Sequence, residues 1–283
     1  MGDVLAGIQA TWEFATGSVL IRFGRGIRTP KLFSALRGRR IPHEALESVT
    51  LTGGRRGTVV LQAVPRAGAD PLMEAASGQL KKECDPYRLV LPAERGTLAE
   101  YYAEELTARL APDAGEPADR FLVAAPEAPL HFKAYDGKAS FDGTQVSFRW
   151  SWTGASSAKW KCGDQRIPVT ELTGVDWRSP EAFDGYLRLL RRGDANVPQA
   201  DQDPAAVLFG LGYGPVHESL PFAAAVLGAA RNARKAPVPA VAVGRRDPAD
   251  IAERIRHLGE LHQSGLVTDE EFHLKKAELL AEL

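Results

Sequence analysis

The chain has 283 residues, 44% of them apolar, which is too long for one typical core and suits two domains plus an appendage. Its formal net charge of −1 excludes a globally basic nucleic-acid binder, though not a local basic patch. With only Cys84 and Cys162 there is no disulfide framework; a single bridge is conceivable, and two free, buried thiols in a reducing cytosol are the expectation.

The start, Met1-Gly2-Asp3-Val4, has neither a basic nor a long apolar leader, and Ala6 stands where a myristoylation motif wants Ser or Thr. Further on, Trp12, Phe14, Val19, Ile21 and Phe23 sit largely two apart between Gly17 and Gly24, the pattern of two strands joined by a turn. A long basic loop follows, carrying Arg25, Arg28, Lys31, Arg37, Arg39 and Arg40. It leads into the phrase Ile41-Pro42-His43-Glu44-Ala45-Leu46-Glu47-Ser48-Val49-Thr50-Leu51, in which Pro ends one strand and Leu and Val open another. Gly53-Gly54 is a hairpin turn and Thr58 to Val64 a strong strand. Residues 67–85 read as an insertion, partly helical around Leu72 to Leu80. Tyr87 to Leu91 is the last strand. Thr97-Leu98-Ala99-Glu100 has the form of a capping box, opening a helix with Leu98, Tyr102, Leu106 and Leu110 on one face and ending before Pro112.

After an acidic linker and a crossing segment, Phe121 to Phe132, the same order of signals returns. Val146, Phe148 and Trp150 alternate, and a polar loop runs from Gly154 to Asp164. The phrase then recurs as Ile167-Pro168-Val169-Thr170-Glu171-Leu172-Thr173-Gly174-Val175-Asp176-Trp177, its Ile, Pro, Leu and Val 126 residues from their counterparts. Such self-similarity points to tandem units. Gly185 to Leu190 reads as a strand, and Asp203-Pro204 before Val207-Leu208-Phe209 echoes Asp85-Pro86 before Leu89-Val90-Leu91. Gly210-Leu211-Gly212-Tyr213-Gly214-Pro215 is a tight turn and not a dinucleotide loop, because Pro replaces the last Gly and there is no βαβ context. Ser219 is the expected cap of a closing helix with Pro221 in its first turn. The run Leu220 to Ala230 is too short to span a bilayer. A cytoplasmic protein is expected, with a membrane-peripheral one as the alternative.

Two many-stranded units, each closed by one helix, make an α+β class. The strand meander, the Ile-Pro-x3-Leu-x2-Val phrase and the single closing helix resemble the pleckstrin-homology-like fold in its bacterial and GRAM-related versions. The chain as a whole resembles a bacterial family of tandem repeats of unknown function. The resemblance implies two bent β-barrels, each plugged by its helix. The boundaries read are 1–112 for the first repeat, 113–120 for a linker, 121–234 for the second repeat, 235–246 for a Pro-rich linker and 247–283 for a helical hairpin. Leu258 to Phe272, with the pattern Leu-x-x-Leu-x-x-x-Gly-Leu-x-Thr-x-x-Glu-Phe, resembles the SHOCT short C-terminal domain. So short a hairpin buries too little apolar area to stand alone. Ile251, Ile255, Leu258, Leu261, Phe272, Leu279 and Leu283 are its candidate oligomerisation residues, with docking on its own body or on another protein as alternatives.

Two stretches are candidate sites. Residues 1–66 hold ten basic and four acidic residues, whereas 67–119 hold five and eleven. Lys31, Arg37, Arg39 and Arg40 lie in the loop that resembles the lipid-phosphate loop of pleckstrin-homology domains. Converging Arg suits phosphate, while a solvated strand edge needs charge only to block unwanted pairing. In the second repeat, Arg149, Trp150, Trp152, Lys159, Trp160 and Lys161 interleave aromatics with cations. Exposed, they make a membrane-interface or protein-binding spot; buried, they cover the core. The six His lack metal spacing and no nucleophile has a recognisable base, so neither metal, cofactor nor catalytic residue is assigned. The functional expectation is a non-enzymatic scaffold or adaptor that oligomerises through its tail, or else a peripheral membrane protein that binds anionic lipid. No specific nucleic acid is expected.

Overall fold

The computed structural model describes residues 3–27, 29–193 and 198–235, together with Asp269, Phe272 and Lys276. The chain divides into two compact units, Met1–Ala233 and Arg234–Leu283. Both repeats belong to the first unit.

In the first repeat, β1 (Asp3–Ala6), β2 (Ala10–Phe14) and β3 (Ser18–Phe23) form a meander. A short helix, α1 (Lys31–Leu36), then leads to β4 (Gly38–Pro42), which completes an antiparallel sheet in the order β1-β2-β3-β4. A 3-10 turn, His43–Ala45, carries the chain into a second antiparallel sheet of β5 (Leu46–Gly53), β6 (Thr58–Pro65) and, beyond the inserted helix α2 (Pro71–Ala76), β7 (Arg88–Pro92). Helix α3 (Gly96–Ala108) ends the repeat.

The second repeat has the same order. Strands β8 (Leu130–Lys133), β9 (Gly137–Phe141) and β10 (Gln145–Trp150), helix α4 (Ser157–Cys162) and strand β11 (Gln165–Pro168) correspond to β1, β2, β3, α1 and β4. Strands β12 (Leu172–Arg178), β13 (Tyr186–Arg191) and β14 (Ala206–Leu208) make the three-stranded sheet, and α5 (Val216–Lys235) closes the repeat. These sheets do not close into barrels as expected: each repeat keeps a separate four-stranded and three-stranded sheet joined through the 3-10 turn.

The recurring phrase explains that joint. Val19 pairs with Ile41 and Val146 with Ile167, so both copies enter in one register. Pro42 and Pro168 are extended, at φ −62° and −63°, and each releases the chain into a three-residue 3-10 turn. The turn is held by the His43 N–H on Gly17 O at 3.0 Å and the Val169 N–H on Thr144 O at 2.9 Å. Each second sheet then starts with a register shift, between Leu46 and Ser48 and between Leu172 and Gly174. A bulge of this kind bends the strand and turns its side chains toward the core. The Asp-Pro echo also has a shared role. Asp85 accepts the Tyr87 N–H and the Gln62 amide, and Asp203 accepts the Ala205 N–H and the Arg188 guanidinium.

Alternation puts Trp12, Ile21, Ile41 and Leu61 inside the first repeat, where Phe14 stacks on Tyr102 of α3 at 4.1 Å. In the second, Phe132 meets Phe222 of α5 edge-on at 5.0 Å. The insertion belongs to both repeats. Asp70 caps α2 by accepting the Leu72 N–H, and Leu72, Ala75 and Ala76 bury into the core of the second repeat. Gln79 donates to Trp177 O and accepts the Ser179 N–H, both at 2.9 Å. Arg231 of α5 reaches back to Gly68 O and Glu74 at 3.2 Å. Shared packing of this kind is why two repeats make one unit.

Several local expectations change. Lys31–Leu36 and Ser157–Cys162 are helices, not loop. A 3-10 turn, Ala93–Arg95, runs straight into α3, so Thr97 lies inside the helix, no side-chain cap forms, and Ala99, not the exposed Leu98, joins Tyr102 and Leu106 on the buried face. Helix α5 starts at Val216, which places Pro221 in its second turn. Ser219 lies within the helix, donating to Pro215 O and accepting the Trp177 indole N–H. Cys84 is half-buried and Cys162 exposed, so the second thiol is not the buried one expected. The Pro-rich linker 236–246 and, apart from Asp269, Phe272 and Lys276, the hairpin 247–283 lie outside the described residues.

Candidate binding faces

The basic loop of the first repeat does not gather its cations at one point. Lys31 opens α1 and faces the space between the repeats. Arg37 is exposed, at the C-terminus of α1 with φ 61°. Arg40 is tied to Ser18 Oγ at 2.8 Å. Arg39 is buried: its guanidinium donates to Asp70 at 2.6 Å and to the Tyr87 hydroxyl at 3.0 Å, and Tyr87 in turn donates to Asp70. Burial opposes the Arg39 charge, but Tyr87 and Asp70 more than offset it and raise its pKa; burial, then Asp70, pushes Tyr87 well above the ordinary phenol. Arg39 is therefore a structural cation and not a ligand-binding one. Arg37 and Arg40 border a groove of about 610 Å³ that also holds Glu127 and Glu218, whose charges oppose theirs.

The aromatic stretch of the second repeat divides in two. Trp150 is 9% exposed and its indole N–H donates to Gly163 O at 2.7 Å. Of the two readings of this stretch, burial holds for Lys159, which is fully buried. Its ammonium donates to Asp136 at 2.6 Å and to Ala206 O at 2.8 Å, with the Trp150 ring 5.1 Å away. Burial lowers its pKa and Asp136 opposes that shift. Trp152 and Trp160, by contrast, are 81% and 48% exposed, packed edge to face at 5.2 Å, and Lys161 beside them is exposed.

Two cations that the sequence reading missed complete this face. In the β8–β9 hairpin Lys133 is directly opposite Lys138, and Lys138 is directly opposite Arg149 on β10. Opposed residues of antiparallel strands share a face, so three exposed cations form one rung across three strands. Like charges so placed repel, at a cost the sheet itself does not need. Among the described residues the rung's one acid partner is Asp164, 3.6 Å from Arg149. The rung borders a pocket of about 490 Å³ with Tyr213, Ser151 and Thr153, the last two being the chain neighbours of Trp152. The same rung in the first repeat is Ala6, Thr11 and Arg22, and there Arg22 is paired with Glu13. Asp136-Gly137 marks a turn in the sequence, but a two-residue loop on that pair would set Lys133 across from Ser140; the loop is Tyr135-Asp136, closed by the Ala134 N–H on Gly137 O at 2.8 Å, and this brings Lys133 across from Lys138.

Of the tail candidates, Ile251, Ile255, Leu258, Leu261, Leu279 and Leu283 lie outside the described residues. Phe272 is helical and half-buried, with the Lys276 ammonium 5.6 Å from its ring centre. Among the described residues there is no cluster of three His, Cys, Asp or Glu side chains suited to a metal ion, and no helix long and apolar enough to cross a membrane.

The family comparisons agree with the internal repeat. The sequence profile described as "Domain of unknown function (DUF4429)" matches residues 12–107 and again 139–227. Each match runs from the second strand of a repeat into its closing helix. The profile described as "Short C-terminal domain" matches residues 253–280. No curated protein matches the chain. Because the two DUF4429 segments cover more than half of its length and coincide with the two structural repeats, the chain belongs to the DUF4429 family, with a SHOCT domain following the repeats.

Proposed function

We propose that the chain is a non-enzymatic binding protein of two pleckstrin-homology-like repeats, of which the second carries the binding face, and that this face meets an anionic membrane surface. The four-plus-three strand order with a closing helix supports the fold part of the proposal. The observation that carries the functional part is the Lys133–Lys138–Arg149 rung together with the exposed Trp152–Trp160 pair, Trp152 lying in the chain between two residues that line the same pocket as the rung. Cations draw a protein to anionic headgroups, each contributing about 1 kcal/mol near the surface. Indole rings settle at the headgroup level. Arg37, Arg40 and Lys161 add peripheral charge.

Flotation with vesicles tests this reading. Binding is expected to phosphatidylcholine vesicles doped with phosphatidylserine and not to phosphatidylcholine alone. It should be lost in Trp152→Ser/Trp160→Ser and in Lys133→Gln/Lys138→Gln. Equal binding by these variants would remove the proposal. The second reading is a protein adaptor, favoured by the same exposed tryptophans, since such side chains dominate protein interfaces. It predicts no flotation, but loss of a co-purifying protein in the Trp variant. The tail is proposed to oligomerise the chain. Light scattering with and without residues 245–283 tests this, and an unchanged mass would refute it.

A further inference from the structure

We infer that the cavity between the two repeats binds a long-chain carboxylate, with its head at Lys31 and its chain along an apolar trough. The cavity measures about 790 Å³, within the range of small-molecule sites, and neither repeat forms it alone. One wall comes from α1 and the segment after α2, the other from the β12–β13 and β14–α5 connections. Leu32, Leu80, Phe209 and Val216 line it. Phe183 and Leu211 stand at its lining with relative exposures of 106% and 102%, as open to water as in an extended peptide. Large apolar side chains left so exposed on a cavity wall favour an apolar occupant.

The polar groups at the wall decide which occupant. Gln79 is committed at both ends of its amide to Trp177 and Ser179. Lys81 is paired with Glu181 at 2.8 Å. Lys31 has no hydrogen bond or ion pair among the described residues. His217 lies close enough to feel it: burial first, then the Lys31 charge, lowers the His217 pKa, with Glu218 opposing. The Lys31 ammonium offers donors to a single carboxylate, beside a His217 imidazole whose Nε2 lies 3.7 Å from Glu218. A phosphate of higher charge would find one lysine only. The half-buried Cys84 on the wall has its thiol pKa raised by burial, which keeps it a neutral apolar neighbour.

The test uses the full chain, titrated with a dansyl-labelled undecanoate and then with palmitate as competitor. Saturable binding, one ligand per chain, displaced by palmitate but not by methyl palmitate, is expected. Lys31→Met should weaken it about tenfold, the scale of one lost charge-assisted contact. Phe183→Ser/Leu211→Ser should weaken it at least as much, and both positions are exposed enough to leave the thermal midpoint unchanged. No saturable binding, equal displacement by the ester, or wild-type affinity in both variants would overturn the inference. So would self-association that the double variant abolishes in a chain that ignores palmitate, an outcome that assigns the trough to a second copy.

Discussion

The two repeats share their strand order and their registers, yet they fill one interior position with opposite chemistry. In the first, Phe33 of α1 stacks on Phe23 at 4.4 Å. At the matching places in the second, Lys159 of α4 lies against Trp150 and pairs with Asp136, which occupies the place of Gln9. A ring on a ring has become an ammonium under an indole and on a carboxylate. The first repeat buries its own charge elsewhere: Arg39 reaches Asp70 and Tyr87, while the matching position on β11 holds Gln165. Strand alternation and the bulged joint therefore decide the fold, and either interior is compatible with it. The buried charges do something more local. Each ties an element that alternation leaves undetermined: α4 to the β8–β9 turn, and the insertion to β4. A buried pair need not add net stability, but it makes its partner costly to remove.

That difference can be broken experimentally. The largest effect should come from Asp70→Ala, which strands the Arg39 charge and uncaps α2 at once; a loss of about 3–5 kcal/mol is expected by urea denaturation. Lys159→Met strands Asp136 in the same way and should lose about 3 kcal/mol or more. Importing the first repeat's solution, as Lys159→Phe with Asp136→Gln, should recover most of that loss, since buried pairs are often replaced by well-packed neutral groups without penalty. A double variant as unstable as the single one would show that the two interiors are not interchangeable.

A smaller effect concerns His43, whose counterpart is Val169. His43 is buried and its Nε2 has no hydrogen-bond partner in the described structure. Burial, then Arg109, holds its pKa below the ordinary histidine value, with Glu105 opposing. As pH falls below about 6.5 the unfolded chain takes up this proton before the folded one does, so stability declines until the lower folded pKa is passed. His43→Val should flatten the dependence of the denaturation midpoint over that window; an unchanged slope would assign the dependence to other groups. The smallest stability effect, within about 0.5 kcal/mol, is expected for Trp152→Ser/Trp160→Ser, because neither ring supports the core. Its consequence should be confined to binding.

Most of the architecture was legible. The phrase around Pro42 and Pro168 announced the duplication, and period-two runs such as Val146, Phe148 and Trp150 announced the strands. Helices α1 and α4 escaped because six residues make too few turns to show a helical period, and their cations read as loop. The burial of Arg39 was not foreseen, and that of Lys159 was left open, for a related reason. A charged side chain in a polar stretch looks solvated until a distant partner is known, and Asp70 and Asp136 are 31 and 23 residues away. The rung through Lys133 and Lys138 is a matter of register, which a one-residue slip would move to the other face. The tight turn before α5 was read correctly from its glycines, two of which, Gly212 and Gly214, have φ of 80° and 61°.

Helix α2 exists in the first repeat and has no match among the described residues of the second, though its apolar side lies in the second repeat's core. The pair is thus ordered: one copy is donor and the other acceptor, and the roles cannot be exchanged. A permuted gene that placed the acceptor first would have Leu72, Ala75 and Ala76 reach back to a core that precedes them in the chain. Lengthening such an array by simple copying would require every non-terminal copy to keep its own version of the inserted helix.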